Sequence, residues 1–229
     1  MKPDMFVILL AGLVHASLQL GIGALLLLYH ASLGKHVKKH TRQLASNYIL
    51  GNVLLTALAV AAMCFGVDLV FQGPMNPAML TIITLLLAAL AVSIWVFYYR
   101  WGKSTELWLP KSIARYIDSR AKTTNSSTEA FSLGMLACFA EAPFTFMLIT
   151  VAANSIISLP QGMQIIYLII YSIISILPLI VLRFAIRRGD TTTDIQRWRV
   201  RHKNFLRVLS GTGFLVLGLF ILAFKVIIG

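Results

Sequence analysis

Residues 130–156 read AFSLGMLACFAEAPFTFMLITVAANSI. The run is long and apolar enough to cross a hydrocarbon core about 30 Å thick as one helix. Lipid offers no partner to an open backbone, so helix is the only conformation available to it. Within it sits Glu141, with Cys138 three residues before and Pro143 two residues after. No other long apolar run of the chain carries an acid well inside it. A charge at that depth costs about 2.5 kcal/mol or more unless paired, neutralised or wetted, so Glu141 marks a functional site. Pro143 lacks an N–H and frees a carbonyl one turn earlier, near Cys138–Phe139, which neighbours or a ligand must satisfy.

Working outward from this run, the whole chain has the same character. Of 229 residues 58% are hydrophobic and only 12% charged, with mean hydropathy +0.82. This composition defines an all-α integral membrane protein and leaves no length for a soluble catalytic domain. Six runs are long enough to span: Met5–Tyr29, Tyr48–Phe71, Ala78–Tyr98, Ala130–Ile156, Ile165–Phe184 and Phe205–Ile228. The first is read as a retained helix, because no small-residue cleavage site follows it.

The net charge of +12 first suggests nucleic acid, but its distribution excludes that partner. Eighteen of the twenty Lys and Arg fall in three blocks, Lys35–Arg42, Arg100–Lys122 and Arg183–Arg207. They alternate with connections that have no basic residue, which is the positive-inside pattern. The first, third and fifth connections then face the cytoplasm and both termini lie outside, in an inner, cytoplasmic membrane. Attraction to anionic headgroups is expected of the basic blocks. The long third connection contains LWLPKSIARYIDSRA, in which Ile113, Tyr116 and Ile117 share a helical face; a short amphipathic helix on the inner surface fits this spacing. Trp101 and Trp108 are expected in the headgroup layer.

This linker, 100–129, divides the single membrane domain into halves 1–99 and 130–229 of three spans each. An odd number of spans forces the second half to insert upside down. A slide of 122 residues puts Gly12 on Gly134, Gln19 on Glu141 and Gly21 on Pro143, and sets basic loops opposite neutral ones. This is the plan of an inverted 3+3 repeat, N-out and C-out, with a substrate site near the midplane.

Several constellations bear on chemistry. His15 and Gln19 are four apart on one face of the first helix. With Glu141 and Pro143 they form the expected substrate- or ion-binding set, Glu141 cycling a proton; the alternative is polar glue between helices. Gly21, Gly23 and Pro178 are further places for a bend or break. Ser210, Gly211, Thr212, Gly213 and Gly218 form a small-residue patch, suited to close packing or to a hydroxyl-lined path. Cys64 and Cys138 fit a thiol relay or, alternatively, small apolar packing; their expected depths differ, which argues against a resting disulfide. His36 and His40, beside His30, have a spacing a metal could use, but they sit among lysines without a nearby thiol or carboxylate, so a metal remains unassigned. No phosphate-binding loop, CxxC or Ser/His/Asp signature occurs, so neither catalytic residues nor a cofactor are assigned.

The three-plus-three plan, the long basic centre, the LGMLACFAEAPF of the fourth run and the RVLSGTGFLVLGLFILAF of the last resemble the superfamily of LysE-type exporters and DsbD/CcdA-type thiol transporters. The CcdA-type pattern has Pro–Cys pairs in its first and fourth helices. Here the first helix has no Cys, Ala137 precedes Cys138, and the proline follows five residues later. The resemblance therefore implies the exporter fold, with His15, Gln19 and Glu141 in the reactive positions. The expected function is a secondary exporter of a small polar solute or cation. A thiol relay and a non-transporting subunit of a larger membrane complex are the alternatives, and a homo-oligomer is compatible with each.

Overall fold

In a computed structural model the chain is described over residues 3–18, 22, 25–26, 38–97, 111–188 and 191–227. Among these residues every regular element is a helix. In order they are α1 (Pro3–Leu18), α2 (Lys38–Phe71), α3 (Pro77–Phe97), α4 (Lys111–Thr123), α5 (Ser127–Ile157), α6 (Gln161–Ser175), α7 (Leu177–Arg188), α8 (Thr192–Arg201) and α9 (Lys203–Ile221), which continues as a π-helix over Leu222–Ile227.

Four stretches are long and apolar enough to cross a membrane alone: His40–Phe71, Pro77–Val96, Ser127–Ile157 and Lys203–Ile227. The pair Gln161–Ser175 and Leu177–Ile186, bent by 48° at its break, is apolar enough to make a fifth if it crosses as one span. The expected first span is represented by α1, an apolar helix short of a full crossing, and by helical Ile22, Leu25 and Leu26. The rest of that run, with Gln19, Gly21, Gly23 and His30, lies outside the described residues, as do His36 and both Trp101 and Trp108. The helices leave Leu58, Phe65, Leu69, Leu85, Phe139 and Ile165 more than half exposed. Such a surface suits lipid rather than water.

Local chemistry sets the helix ends. Ser126 begins α5 with a capping box: its hydroxyl accepts from Glu129 N–H, and the Glu129 carboxylate accepts from Ser126 N–H. Thr191 caps α8 by accepting from Asp194 N–H at 3.1 Å. The break between α6 and α7 falls at Ile176, two residues before Pro178. Pro178 cannot donate to the Ile174 carbonyl, so the ladder stops there and restarts from Ile176, whose carbonyl accepts from Leu179 and Ile180. The expected bend at Pro178 is thus a true interruption. At the turn after α2, Gln72 (φ 52°) and Gly73 (φ 135°) reverse the chain, and Asn76 Oδ1 caps α3 through Met79 N–H.

The amphipathic helix in the linker is α4, with one correction. Ile117 and Ala121 are buried against the bundle, while Tyr116 is half exposed and lies beside Arg120 instead of inside. A second short surface helix, α8, has no counterpart in the expected elements.

Packing pairs the helices in a reciprocal way. α2 makes its most extensive contact with α5, and α1 packs against both α5 and α6. α2 and α5 run parallel, as the contacts Asn52–Gly134, Thr56–Cys138 and Cys64–Ala153 require. α1 runs antiparallel to α5, with His15 beside Glu141 and Asp4 reaching Ser155 through Lys225; α6 turns back from α5 after three residues, so α1 and α6 also run parallel. α3 and α9 form an antiparallel pair, with Gly211 against Trp95 and Gly218 against Thr84. The α2–α5 contact is at backbone level: a Cβ on Gly134 would meet the Tyr48 carbonyl oxygen at 2.0 Å, and one on Gly51 the Phe131 carbonyl oxygen at 2.1 Å. Only glycine permits that approach.

Two apolar cores fill the bundle. One holds Val7, Ile8, Val14, Val67, Leu148, Ile156 and Phe214. The other, towards the basic end, holds Leu44, Tyr48, Ala130, Leu133, Ile176 and Leu179. Where they meet, the interior turns polar.

Candidate functional site

Glu141 lies at the middle of α5 and is 1% exposed. α1 crosses it there and presents His15, also 1% exposed. His15 Nε2 stands 3.9 Å from Glu141 Oε2. This is ion-pair range and about 1 Å beyond a direct hydrogen bond, so a small approach or one water joins them. On its other side His15 Nδ1 shares a hydrogen bond of 2.9 Å with the hydroxyl of Tyr171, which is fully buried on α6. The imidazole tautomer decides which of these two atoms donates. Tyr171, His15 and Glu141 therefore form a line of three proton-carrying groups spanning α6, α1 and α5.

A second set approaches from α2. Buried Tyr48 lies within electrostatic reach of Glu141 and Cys138. The Thr56 hydroxyl donates to Asn52 O at 3.0 Å, and Thr56 Oγ1 lies 3.3 Å from Cys138 Sγ. Either the Thr56 hydroxyl or the Cys138 thiol can donate in this contact. Asn52 Nδ2 donates to Gly134 O at 3.4 Å, tying α2 to α5 just where their backbones touch. Thr145, Ser172 and Ser175 add buried hydroxyls at this level; Thr145 bonds back to Glu141 O and Ser175 to Ser172 O. The C-terminal end of α6 falls in the same layer, where a broken helix aims the negative end of its dipole.

The structure thus brings His15 and Glu141 together. Pro143 is different. It sits two residues, about 200°, around α5 from Glu141, and its ring is exposed on the outer face with Phe139. The expectation that Pro143 lines the site is corrected by this geometry. Gln19 lies outside the described residues.

The two thiols are far apart. Cys64 Sγ faces Ala153 O at 3.9 Å, fifteen residues along α5 from Cys138, or about 22 Å of helix rise. No disulfide joins them, and both are free.

The small-residue patch of α9 is used for packing. Gly213 meets Val14, Gly211 meets Trp95, and Ser210 donates to Ser17 O at 3.3 Å, while Thr212 is exposed on the outer face. His40 is exposed, and its Nε2 lies 2.8 Å from Asn125 O. Among the described residues no three His, Cys, Asp or Glu side chains gather as a metal site would require.

Sequence reasoning missed Tyr48, Thr56 and Tyr171. Thr56 and Tyr171 are polar groups well inside apolar runs, which is the one signal that marks them. No family model, no curated protein and no solved structure matches the chain.

Proposed function

We propose that this chain is a secondary transporter that moves a small polar solute or cation across the cytoplasmic membrane, with Glu141 as the coupling carboxylate. The observation that carries this reading is the buried Tyr171–His15–Glu141 line at mid-depth. Mere helix–helix adhesion is served by neutral hydroxyls and amides; a carboxylate facing an imidazole adds a group that can take and release a proton. Among the described residues Glu141 is the single acid of this layer, and the other polar members there are neutral hydroxyls, an amide, a thiol and an imidazole, a set suited to a cation or proton and unsuited to an anion.

The packing supports an inverted repeat of residues 1–99 and 130–229. Exchanging the halves maps α1 onto α5, α2 onto the broken α6–α7 and α3 onto α9. The parallel α1–α6 and α2–α5 pairs then become equivalents, and α3–α9 maps onto itself. Gly12 against Tyr171 corresponds to Gly134 against Tyr48. The basic ends of α2, α5 and α9 gather on one side, consistent with cytoplasmic basic loops and outer termini.

The test is proton-coupled flux in vesicles holding a pH-sensitive dye, screened with organic and inorganic cations. Glu141→Gln removes the pH-dependent component, and Tyr171→Phe, which keeps the ring but not the hydroxyl, slows it. Unchanged coupled flux in a folded Glu141→Gln protein refutes the assignment.

A further inference from the structure

Only two basic residues stand outside the three cytoplasmic blocks, Lys2 and Lys225. Lys225 lies within the last apolar run, where a lysine is costly and the positive-inside pattern disfavours it. Its surroundings show what it does. Lys225 Nζ pairs with Asp4 Oδ1 at the start of α1 and donates to Ser155 Oγ at 3.1 Å near the end of α5. The lysine and aspartate side chains are only 13% and 18% exposed. The chain after Ile221 is π-wound, and this wider winding turns Lys225 around the axis from its α-helical position.

α1 and α5 are the helices that carry His15 and Glu141. Asp4 lies eleven residues before His15, and Ser155 fourteen residues after Glu141, about 16 and 21 Å of helix rise. Lys225 therefore joins the neutral ends of the two site-bearing helices directly above their polar contact. Asp4 belongs to one half of the repeat, and Lys225 and Ser155 to the other. One residue before Ser155, Asn154 Oδ1 accepts from Met75 N–H at 2.7 Å and fixes the α2–α3 turn at the same end.

Resting on the transporter reading above, we propose that Asp4, Lys225 and Ser155 form the outer gate of the carrier, and that the structure shows this gate shut. A partly buried ion pair suits a reversible closure: it holds while covered, and water replaces each partner's contact once the ends separate. Opening requires α1 and α9 to part at this end, which connects the His15–Glu141 layer to the outer face.

The test places a reporter below the gate. Val151 is 2% exposed and lies one turn inward from Ser155 on the same face of α5. In right-side-out vesicles, a Val151→Cys chain also carrying Cys64→Ala and Cys138→Ala is treated with a membrane-impermeant maleimide. With Asp4 and Lys225 intact, labelling is slow. In Asp4→Asn it is about tenfold faster or more, the expectation for an opened local structure. In the exchanged pair Asp4→Lys with Lys225→Asp it is slow again. Equal rates in all three overturn the gate. A disulfide between Asp4→Cys and Lys225→Cys in the otherwise native chain stops coupled flux until reduced; flux that continues through the crosslink also overturns it. The labelling requires no transport, so it decides the closure even where the vesicles carry no flux.

Discussion

Replacing Gly134 by alanine tests the backbone contact that sets the whole bundle. The added Cβ would lie 2.0 Å from the Tyr48 carbonyl oxygen, 2.9 Å from its carbon and 3.1 Å from Asn52 N. Ordinary contact starts at 3.4 Å, so α2 and α5 must part by more than about 1 Å. The obstacle is main chain and cannot rotate away. The Asn52–Gly134 hydrogen bond, already 3.4 Å, is lost with the movement. Overpacking costs about 1–3 kcal/mol, and a rigid obstacle plus a lost bond puts this substitution at the upper end. Gly51→Ala, facing the Phe131 carbonyl oxygen at 2.1 Å, belongs with it. Gly12→Ala meets side chain rather than backbone, Ile174 Cγ2 at 3.0 Å and Cβ at 3.2 Å, which must give by a few tenths of an ångström, and costs about 1 kcal/mol. Gly66 has nothing within 4 Å, so Gly66→Ala gains about 0.5–1 kcal/mol of helix stability. Thermal unfolding in detergent, followed by the monodisperse fraction, gives the order Gly66→Ala, wild type, Gly12→Ala, then Gly51→Ala and Gly134→Ala. A Gly134→Ala protein as stable as wild type would refute the reasoning.

Two further outcomes follow from the helix ends. Asn154→Ala leaves the buried Met75 N–H without its acceptor, a loss of about 1–3 kcal/mol; hydrogen exchange in the 72–76 turn rises while exchange in α9 does not. Pro178→Ala restores a donor for the Ile174 carbonyl and straightens the 48° bend, so spin labels at the exposed Ile165 and Phe184 move apart by roughly 2 Å.

Much of the architecture was legible because lipid permits so little else. The runs ending at Phe71, starting at Ala78 and ending at Ile156 each match a helix end to within one residue, while Ala130 falls three residues inside the start of α5. Ten residues before Tyr48 were not legible, because KKHTRQLASN is polar and α2 carries it beyond the apolar stretch. The bend at Pro178 was visible in sequence, since a proline removes a donor wherever it falls. Pro143 misled for the same reason: its backbone effect says nothing about which face its ring occupies. Glu141 and His15 stood out as costly groups in apolar runs. Their partners did not, because Tyr48, Thr56 and Tyr171 acquire meaning only when α2 meets α5 and α6 meets α1. Such contacts cross 82 to 156 positions of sequence, and no periodicity within one helix reports them.

The reciprocal pairing carries a consequence for biosynthesis. α2 finds its main partner in α5, and the Met75 amide waits for an acceptor 79 residues downstream. As the chain emerges from the ribosome, the first three helices enter the bilayer with their contact faces uncovered. They settle only after the second group has joined them. Neither half expressed alone has its native neighbours, whereas the two made as separate polypeptides in one cell have every surface needed to find each other.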